Sequence, residues 1–220
     1  MDITLTREGP VAVLTWDAGE NRINLDSLAR LNELLDEIEQ TDGPLSVVLT
    51  GSGKFFCNGL DLDRFANDRD QFVATLHALE QTIGRLLVFP AYTVAAINGH
   101  AFAGGALISC AFDHRVMRED RGYWCMNEAE IGLALDERLW SILTNRVPRA
   151  TAIMAASTAR RFSGPDALQY GIVEALAAET EVLAKALAIA ESMANLDRPM
   201  LEVHKRLAHG AEAEFLGFKL

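Results

Sequence analysis

Asn98-Gly99-His100-Ala101-Phe102-Ala103-Gly104-Gly105-Ala106-Leu107-Ile108-Ser109 follows an apolar run, Tyr92 to Ile97, and leads into a second one. The pair Gly104-Gly105 lets the backbone turn tightly and open a helix whose first N–H groups lack an internal partner, at the positive end of its dipole. This reads as strand, turn and helix start, with an anion or oxyanion site at the turn. Upstream, Gly53-Lys54-Phe55-Phe56-Cys57-Asn58-Gly59-Leu60-Asp61-Leu62 repeats the pattern after the apolar strand Val47 to Leu49. Two such loops can supply two backbone donors to one oxygen.

Outward from these loops, strands and helices alternate. Ile3 to Trp16 reads as strand and turn, and Leu25 to Ile38 carries Leu28, Leu31, Leu34, Leu35 and Ile38 at helical spacing. Strands are predicted over Ser46 to Thr50, Thr93 to Ile97 and His114 to Met117, with helices over Gln71 to Val88 and Gly104 to Phe112. That order predicts right-handed crossovers and a largely parallel sheet, with the ligand at the carboxyl ends of the strands, where both loops lie. From Pro148 the chain turns mainly helical: Ala150 to Ser157, Pro165 to Tyr170, Glu181 to Leu196 and Pro199 to Ala208.

The 220 residues are 50% hydrophobic, enough for one domain with a large core or one domain with a helical appendage. A net charge of -11 without a Lys/Arg cluster argues against nucleic acid as a partner. Any phosphate group must then be met by a few local cations, of which Arg22 and Lys54 are candidates. Cys57, Cys110 and Cys125 are odd in number and lack a CxxC pair, which points to reduced thiols and a cytoplasmic compartment. The longest apolar run, around Ala101 to Phe112, is too short and Gly-broken to span a bilayer, so no membrane partner is expected. Phe218-Lys219-Leu220 approaches a peroxisomal address but lacks its small first residue; in a eukaryote the peroxisome is the alternative location.

Phe56-Cys57-Asn58-Gly59-Leu60-Asp61-Leu62 and Ala95-Ala96-Ile97-Asn98-Gly99-His100-Ala101-Phe102-Ala103-Gly104-Gly105 resemble the two signatures of the crotonase (enoyl-CoA hydratase/isomerase) superfamily. The opening Ile3 to Trp16, Asn21-Arg22-Ile23-Asn24 and the later Arg161 to Val173 fit it too. The resemblance implies an α/β fold, a ClpP-like spiral of ββα units over residues 1–147, with a helical trimerisation region over 148–220. It implies an acyl-CoA substrate, with the coenzyme A thioester as substrate rather than cofactor, no metal, and a homotrimer or dimer of trimers. By position, the N–H groups of Leu60 and Gly104 would hold the thioester oxygen. Cys57, Asn58, Gly59, Asp61, His100, Gly105, Leu107 and Asn127 would complete the substrate-binding set.

Proton chemistry then needs a carboxylate. Met126-Asn127-Glu128-Ala129-Glu130-Ile131-Gly132-Leu133 places two carboxylates among apolar residues, where partial desolvation would raise a pKa toward a useful range. From composition alone both read as solvated turn residues. The resemblance puts Glu128 in the slot of the catalytic Glu and leaves Glu130 structural. Hydratases of the family carry a second Glu three residues beyond the oxyanion Gly, and here that position is Leu107. A lone carboxylate suits a proton shuttle, and the string is similar to monofunctional Δ3,Δ2-enoyl-CoA isomerases of fatty acid β-oxidation. Hydration, another acyl-CoA chemistry, or silent binding of a CoA ester are the alternatives.

Other groups have plainer readings. Ser109, Asp113 and His114 lie close in sequence but without a nucleophile elbow. His77, His204 and His209 lack metal-ligand spacing. Cys57 reads as a small packed thiol, with no cation beside it to activate it. The polar stretch Asp63 to Gln71 is expected to shape the acyl pocket.

Overall fold

The computed structural model describes residues 3–66 and 68–220. Met1, Asp2 and, within the Asp63 to Gln71 stretch, Asn67 lie outside the described residues. Strand β1 (Ile3–Glu8) turns through Gly9 and Pro10 into β2 (Val11–Trp16), and the two pair antiparallel. Parallel to β2 run β3 (Ser46–Gly51), then β5 (Tyr92–Ile97), β7 (His114–Arg118) and β9 (Ala175–Ala177), in the order β1-β2-β3-β5-β7-β9. A second, smaller parallel sheet is built from β4 (Phe55–Cys57), β6 (His100–Phe102) and β8 (Trp124–Cys125). The chain therefore climbs in repeats of one strand in each sheet followed by a helix, which is the expected ββα spiral.

The helices are α1 (Leu25–Glu39), α2 (Leu62–Phe65), α3 (Arg69–Leu87), α4 (Gly104–Cys110), α5 (Glu128–Ile131), α6 (Glu137–Arg146), α7 (Arg149–Thr158), α8 (Gly164–Gln169), α9 (Val182–Met193) and α10 (Arg198–Phe215). Helix α1 starts at a capping box in which the Asn24 side chain accepts from Ser27 N–H and Ser27 answers to Asn24 N–H. Among the described residues no helix is long and apolar enough to cross a membrane.

Period-two alternation sorts the strand side chains between two cores. Ala12, Leu14, Val47, Leu49, Ala95 and Ile97 join the larger core beneath α1, α3 and α4. Val11, Val13, Val48, Val94, Ala96 and Val116 point the other way, against Val182, Ala186 and Ala190 of α9. Both faces are covered, which is why β3 is buried along its whole length and reads as a continuous apolar run.

Residues 148–220 are knitted into this body. β9 extends the main sheet, α9 covers its second face and α10 packs on α3. Helix α10 also continues past Ala208, the end expected from sequence, to Phe215. Helix α6 is an element the sequence reading did not name; its apolar residues are interrupted by Arg138, Ser141, Thr144 and Asn145. Its last turn supports α4, because Arg146 donates to the carbonyls of Cys110 (2.9 Å) and Phe112 (2.8 Å).

One buried ion pair fastens α10 to the sheet. Lys205, 5% exposed, donates to Asp113 Oδ2 at 2.8 Å and to the Ala91 carbonyl at 3.2 Å. The same carboxylate oxygen accepts from the N–H and hydroxyl of Thr93. Asp113→Asn would leave an ammonium buried without its counter-charge, and should lower unfolding free energy by about 3 kcal/mol. Lys205→Met should cost less, since Asp113 keeps both Thr93 bonds. Urea denaturation of the two variants checks the order; equal losses would contradict it.

Candidate active site

The two glycine-bearing loops meet backbone to backbone. The first is held by Ile23, whose N–H donates to the Gly59 carbonyl (2.8 Å) and whose carbonyl accepts from Asp61 N–H (2.9 Å). Asn21, buried with φ +53°, donates from its side chain to the carbonyls of Phe55 and Phe56. The second loop is held by Ala103 N–H, which donates to the Cys125 carbonyl at 2.9 Å. A side chain at Gly105 would collide with the Cys57 carbonyl oxygen, so only glycine permits the contact.

Ala103 precedes α4 with φ +49° and ψ -119°, a conformation that costs a residue with a Cβ about 1–3 kcal/mol. That turn leaves the Gly104 N–H clear. Among the described residues neither the Leu60 nor the Gly104 N–H meets an acceptor, and both residues line one cavity of about 510 Å³. Two free amide donors on one cavity are the arrangement that can hold an oxyanion.

Glu128 opens the short helix α5 on the same cavity, in company with Asn127 and Leu107. It is 8% exposed, and its Oε2 has no hydrogen-bond partner. Burial pushes its pKa up to about 7, against an ordinary 4.5. The Asn127 Oδ1 beside it is likewise unpartnered. Of the carboxylates lining this cavity, Asp63 is exposed and ion-paired with Arg22, whereas Glu128 is unpaired in an apolar setting.

Of the residues expected at the site, the cavity gathers Asn58, Leu60, Gly104, Leu107, Asn127 and Glu128. Cys57, Gly59, Asp61, His100 and Gly105 do not line it. Cys57 is fully buried under the first loop, its thiol pushed up to about 12 by desolvation. Gly59 and Gly105 form the loop-to-loop contact. Asp61 accepts from Arg22 at 3.2 Å. His100 stacks among Phe55, Phe102 and Tyr123 and accepts from Tyr123 N–H at 3.2 Å through Nδ1.

The phosphate candidates are equally committed. Arg22 lines the cavity but is ion-paired with Glu20, Asp61 and Asp63, and Lys54 lies 5.2 Å over the Phe55 ring, away from the cavity. Glu130 is at the surface, 3.3 Å from Arg161. Ser109 is not a nucleophile: its hydroxyl donates to the Ala106 carbonyl and accepts from the Trp124 indole N–H. Among the described residues no cluster of potential metal ligands occurs.

The apolar wall lies outside the expected site, and of the Asp63 to Gln71 stretch expected to shape the acyl pocket only Asp63, among the described residues, lines the cavity. Phe72, Leu76 and Leu79 of α3, Ile131, the loop Leu133 to Leu135, and Leu139 of α6 line it, together with Leu62 and Asp63. Their i, i+4, i+7 spacing on α3 is legible in sequence, but it marks a buried face without saying that the face is a cavity.

Residues 6–214 match the family model described as enoyl-CoA hydratase/isomerase. The chain belongs to this family. It is similar to enoyl-CoA delta isomerase 2 of Arabidopsis thaliana, described as peroxisomal, with 30% identity over 187 residues, 81% of this chain and 78% of the relative. A probable enoyl-CoA hydratase of Bacillus subtilis is 31% identical over 200 residues, 87% of this chain and 76% of the relative. Among solved structures, an enoyl-CoA isomerase of Mycobacterium tuberculosis superposes with a TM-score of 0.91 at 26% identity, covering 98% of this chain and 94% of that one. The crotonase fold and the family's acyl-CoA chemistry thus apply here, and the relatives include both isomerases and hydratases by name.

Glu128 gives this enoyl-CoA hydratase/isomerase family member a pH-dependent stability. Its folded pKa is raised, so its favourable contribution is complete below about pH 4.5 and is lost as pH rises through about 7. Glu128→Gln, which does not titrate, should therefore be more stable than the parent by about 3 kcal/mol at pH 8, with the difference vanishing near pH 4. Thermal or urea unfolding at the two pH values measures this, and an advantage of equal size at both would contradict it.

Proposed function

We propose that the chain is a Δ3,Δ2-enoyl-CoA isomerase. The observation that carries the reading is the make-up of the cavity wall. It holds one desolvated, unpaired carboxylate, Glu128, two free amide donors, and Leu107 where hydratases of this family carry a second Glu. Adding water asks for one group to deprotonate it and another to handle the second proton. A single base suits a double-bond shift.

In this reaction the Glu128 carboxylate takes a proton from C2 of a 3-enoyl thioester. The C2–H electron pair becomes the C1–C2 double bond, and the carbonyl pair moves onto the thioester oxygen, facing the N–H groups of Leu60 and Gly104. Glu128, now the acid, returns the proton to C4. The carbonyl reforms and the double bond rests between C2 and C3. A base whose pKa lies near 7 is matched to both halves of this exchange.

Product identification after incubation with trans-3-hexenoyl-CoA and with 2-hexenoyl-CoA tests the reading directly. Glu128→Gln should lower kcat by at least about 10²-fold, while Glu130→Gln should stay near the parent value. Because the working form is the carboxylate, kcat/KM should fall as pH drops below about 7 and level off above it. Equal losses in the two variants would reassign the base.

Leu107→Glu should place a second carboxylate near Glu128 and raise one of the two pKa values, giving an acid beside a base. The variant should gain hydration of 2-hexenoyl-CoA and lose isomerisation, read by enoyl absorbance and by the mass of the 3-hydroxy product. A parent that already hydrates as fast as it isomerises would favour the hydratase reading instead.

We also propose a trimer or dimer of trimers. Met200, Val203 and Leu207 stand exposed at i, i+3 and i+7 on α10, with Leu207 79% exposed. Light scattering at micromolar concentration should give a trimer or a multiple of it. A stable monomer would contradict this.

A further inference from the structure

Helices α3 and α6 supply two walls of the cavity, through Phe72, Leu76 and Leu79 on one and Leu139 on the other, and the loop before α6 adds Leu133 to Leu135. Glu80, next to Leu79, is outside the cavity lining and only 1% exposed. Its Oε2 accepts from Arg138 Nη1 at 2.9 Å, while its Oε1 meets no donor. The Asp136 side chain lies within hydrogen-bonding reach of it. Asp136 Oδ1 is already the cap of α6, accepting from the N–H groups of Arg138 (3.1 Å) and Leu139 (2.9 Å). Two carboxyl groups can bond to each other only when one carries a hydrogen. The geometry thus has a place for one proton between α3 and α6.

We propose that Glu80 is a positioning residue that works as a neutral acid: it donates to Asp136 and accepts from Arg138, fastening the start of α6 to α3 and so fixing the wall against which the acyl chain lies. Burial pushes Glu80 up to about 7, the Asp136 carboxylate adds to the rise and Arg138 opposes it. Among the other helices packed on α3, Lys205 of α10 pairs with Asp113 and Arg206 with Glu202. On α1, Asp36 and Glu39 pair with Arg85; on α2, Asp63 and Arg64 pair with Arg22 and Asp26; α4 has no charged residue; and on α10, Glu212 accepts from Ser141 and Asn145 of α6. When Glu80 ionises, its bond to Asp136 is lost and the two adjacent carboxylates repel, so the start of α6 is held to α3 through Arg138 alone. The hold on a long acyl chain then weakens, while the oxyanion site, built on other elements, is untouched.

The role of the wall rests on the acyl-CoA reading, so the test separates the two. Binding of saturated decanoyl-CoA and butanoyl-CoA is measured by calorimetry at about pH 6 and about pH 8.5, in the parent, Glu80→Gln and Glu80→Ala. Glu128 ionises over the same range but faces both esters alike, so the ratio of the two affinities removes it. In the parent the decanoyl-to-butanoyl ratio should fall roughly threefold to tenfold between the two pH values, within the range for coupled neighbours. In Glu80→Gln, whose amide can still donate to Asp136 and accept from Arg138, the ratio should stay constant; in Glu80→Ala it should be low at both. A ratio that is constant in the parent, or that falls equally in Glu80→Gln, overturns the proposal. Thermal unfolding gives a readout that needs no ligand: Glu80→Gln should gain stability over the parent as pH rises from about 5 to about 8. No such gain overturns the neutral-acid assignment, whereas failure of both esters to bind, with the gain present, overturns the acyl-CoA reading alone.

Discussion

The site depends on a contact between two stretches of bare backbone. Cys57 and Gly105 approach so closely that a Cβ on the glycine would run into the Cys57 carbonyl. Gly59 sits at φ +83°, where a Cβ would stand 3.0 Å from the Phe102 carbonyl oxygen. With side chains absent at the crossing, the amides of Leu60 and Gly104 reach the same cavity. Ala103, held at φ +49°, shows that the turn is imposed by its surroundings, since its N–H bond to Cys125 and the start of α4 over-determine its conformation. The ββα spiral is what brings the loops together: β4, β6 and β8 stack as one small sheet, and each loop leaves it at the same end.

Around that contact, environment sorts chemically identical groups into different roles. Glu130 and Glu128 are two residues apart, yet Glu130 lies at the surface beside Arg161 while Glu128 is enclosed and unpaired. Glu20, Asp61 and Asp63 share Arg22, which lines the cavity. Glu80, as deeply buried as any carboxyl among the described residues, has both an arginine and a second carboxyl for neighbours. Low dielectric raises a carboxyl pKa only where no cation compensates fully, and that condition, rather than residue type, separates Glu128 from Glu130.

The two-sided burial of the main sheet accounts for the C-terminal third. Strands β2, β3, β5 and β7 present valines and alanines outward, and α9 covers them. Helix α10 then locks onto α3 and, through Lys205, onto the end of β5 and the Asp113 that follows α4. Helix α3 is thus pinned on one side by α10 and joined on another to α6 by Glu80, so the cavity wall is set by elements distant in sequence.

How much of this the sequence carried depends on the range of the interactions involved. Alternation of strands and helices, the glycine-bearing turns and the apolar face of α1 follow from local rules, because a period of two or of about 3.6 residues is written in the chain itself. The crotonase resemblance added Leu60, Gly104 and Glu128, which the structure places around one cavity. Strand β9 is too short to carry a period of its own, whereas α6 does carry Leu139, Ile142 and Leu143 at i, i+3 and i+4, a signal that the expected elements did not include. Nor were the roles of Cys57, His100 and Asp61 separable from those of Asn58 and Asn127, because adjacent residues in a loop point to opposite sides. The sequence by itself determined the alternation of strands and helices, the two turns that need glycine, and an apolar Leu107, while the choice of Glu128 over Glu130 came from the resemblance. Only the tertiary structure decided which amides are left without acceptors, which carboxylates lose their water, and that α3 and α6 wall the cavity together, because burial and unpaired polar groups are properties of neighbours brought from afar.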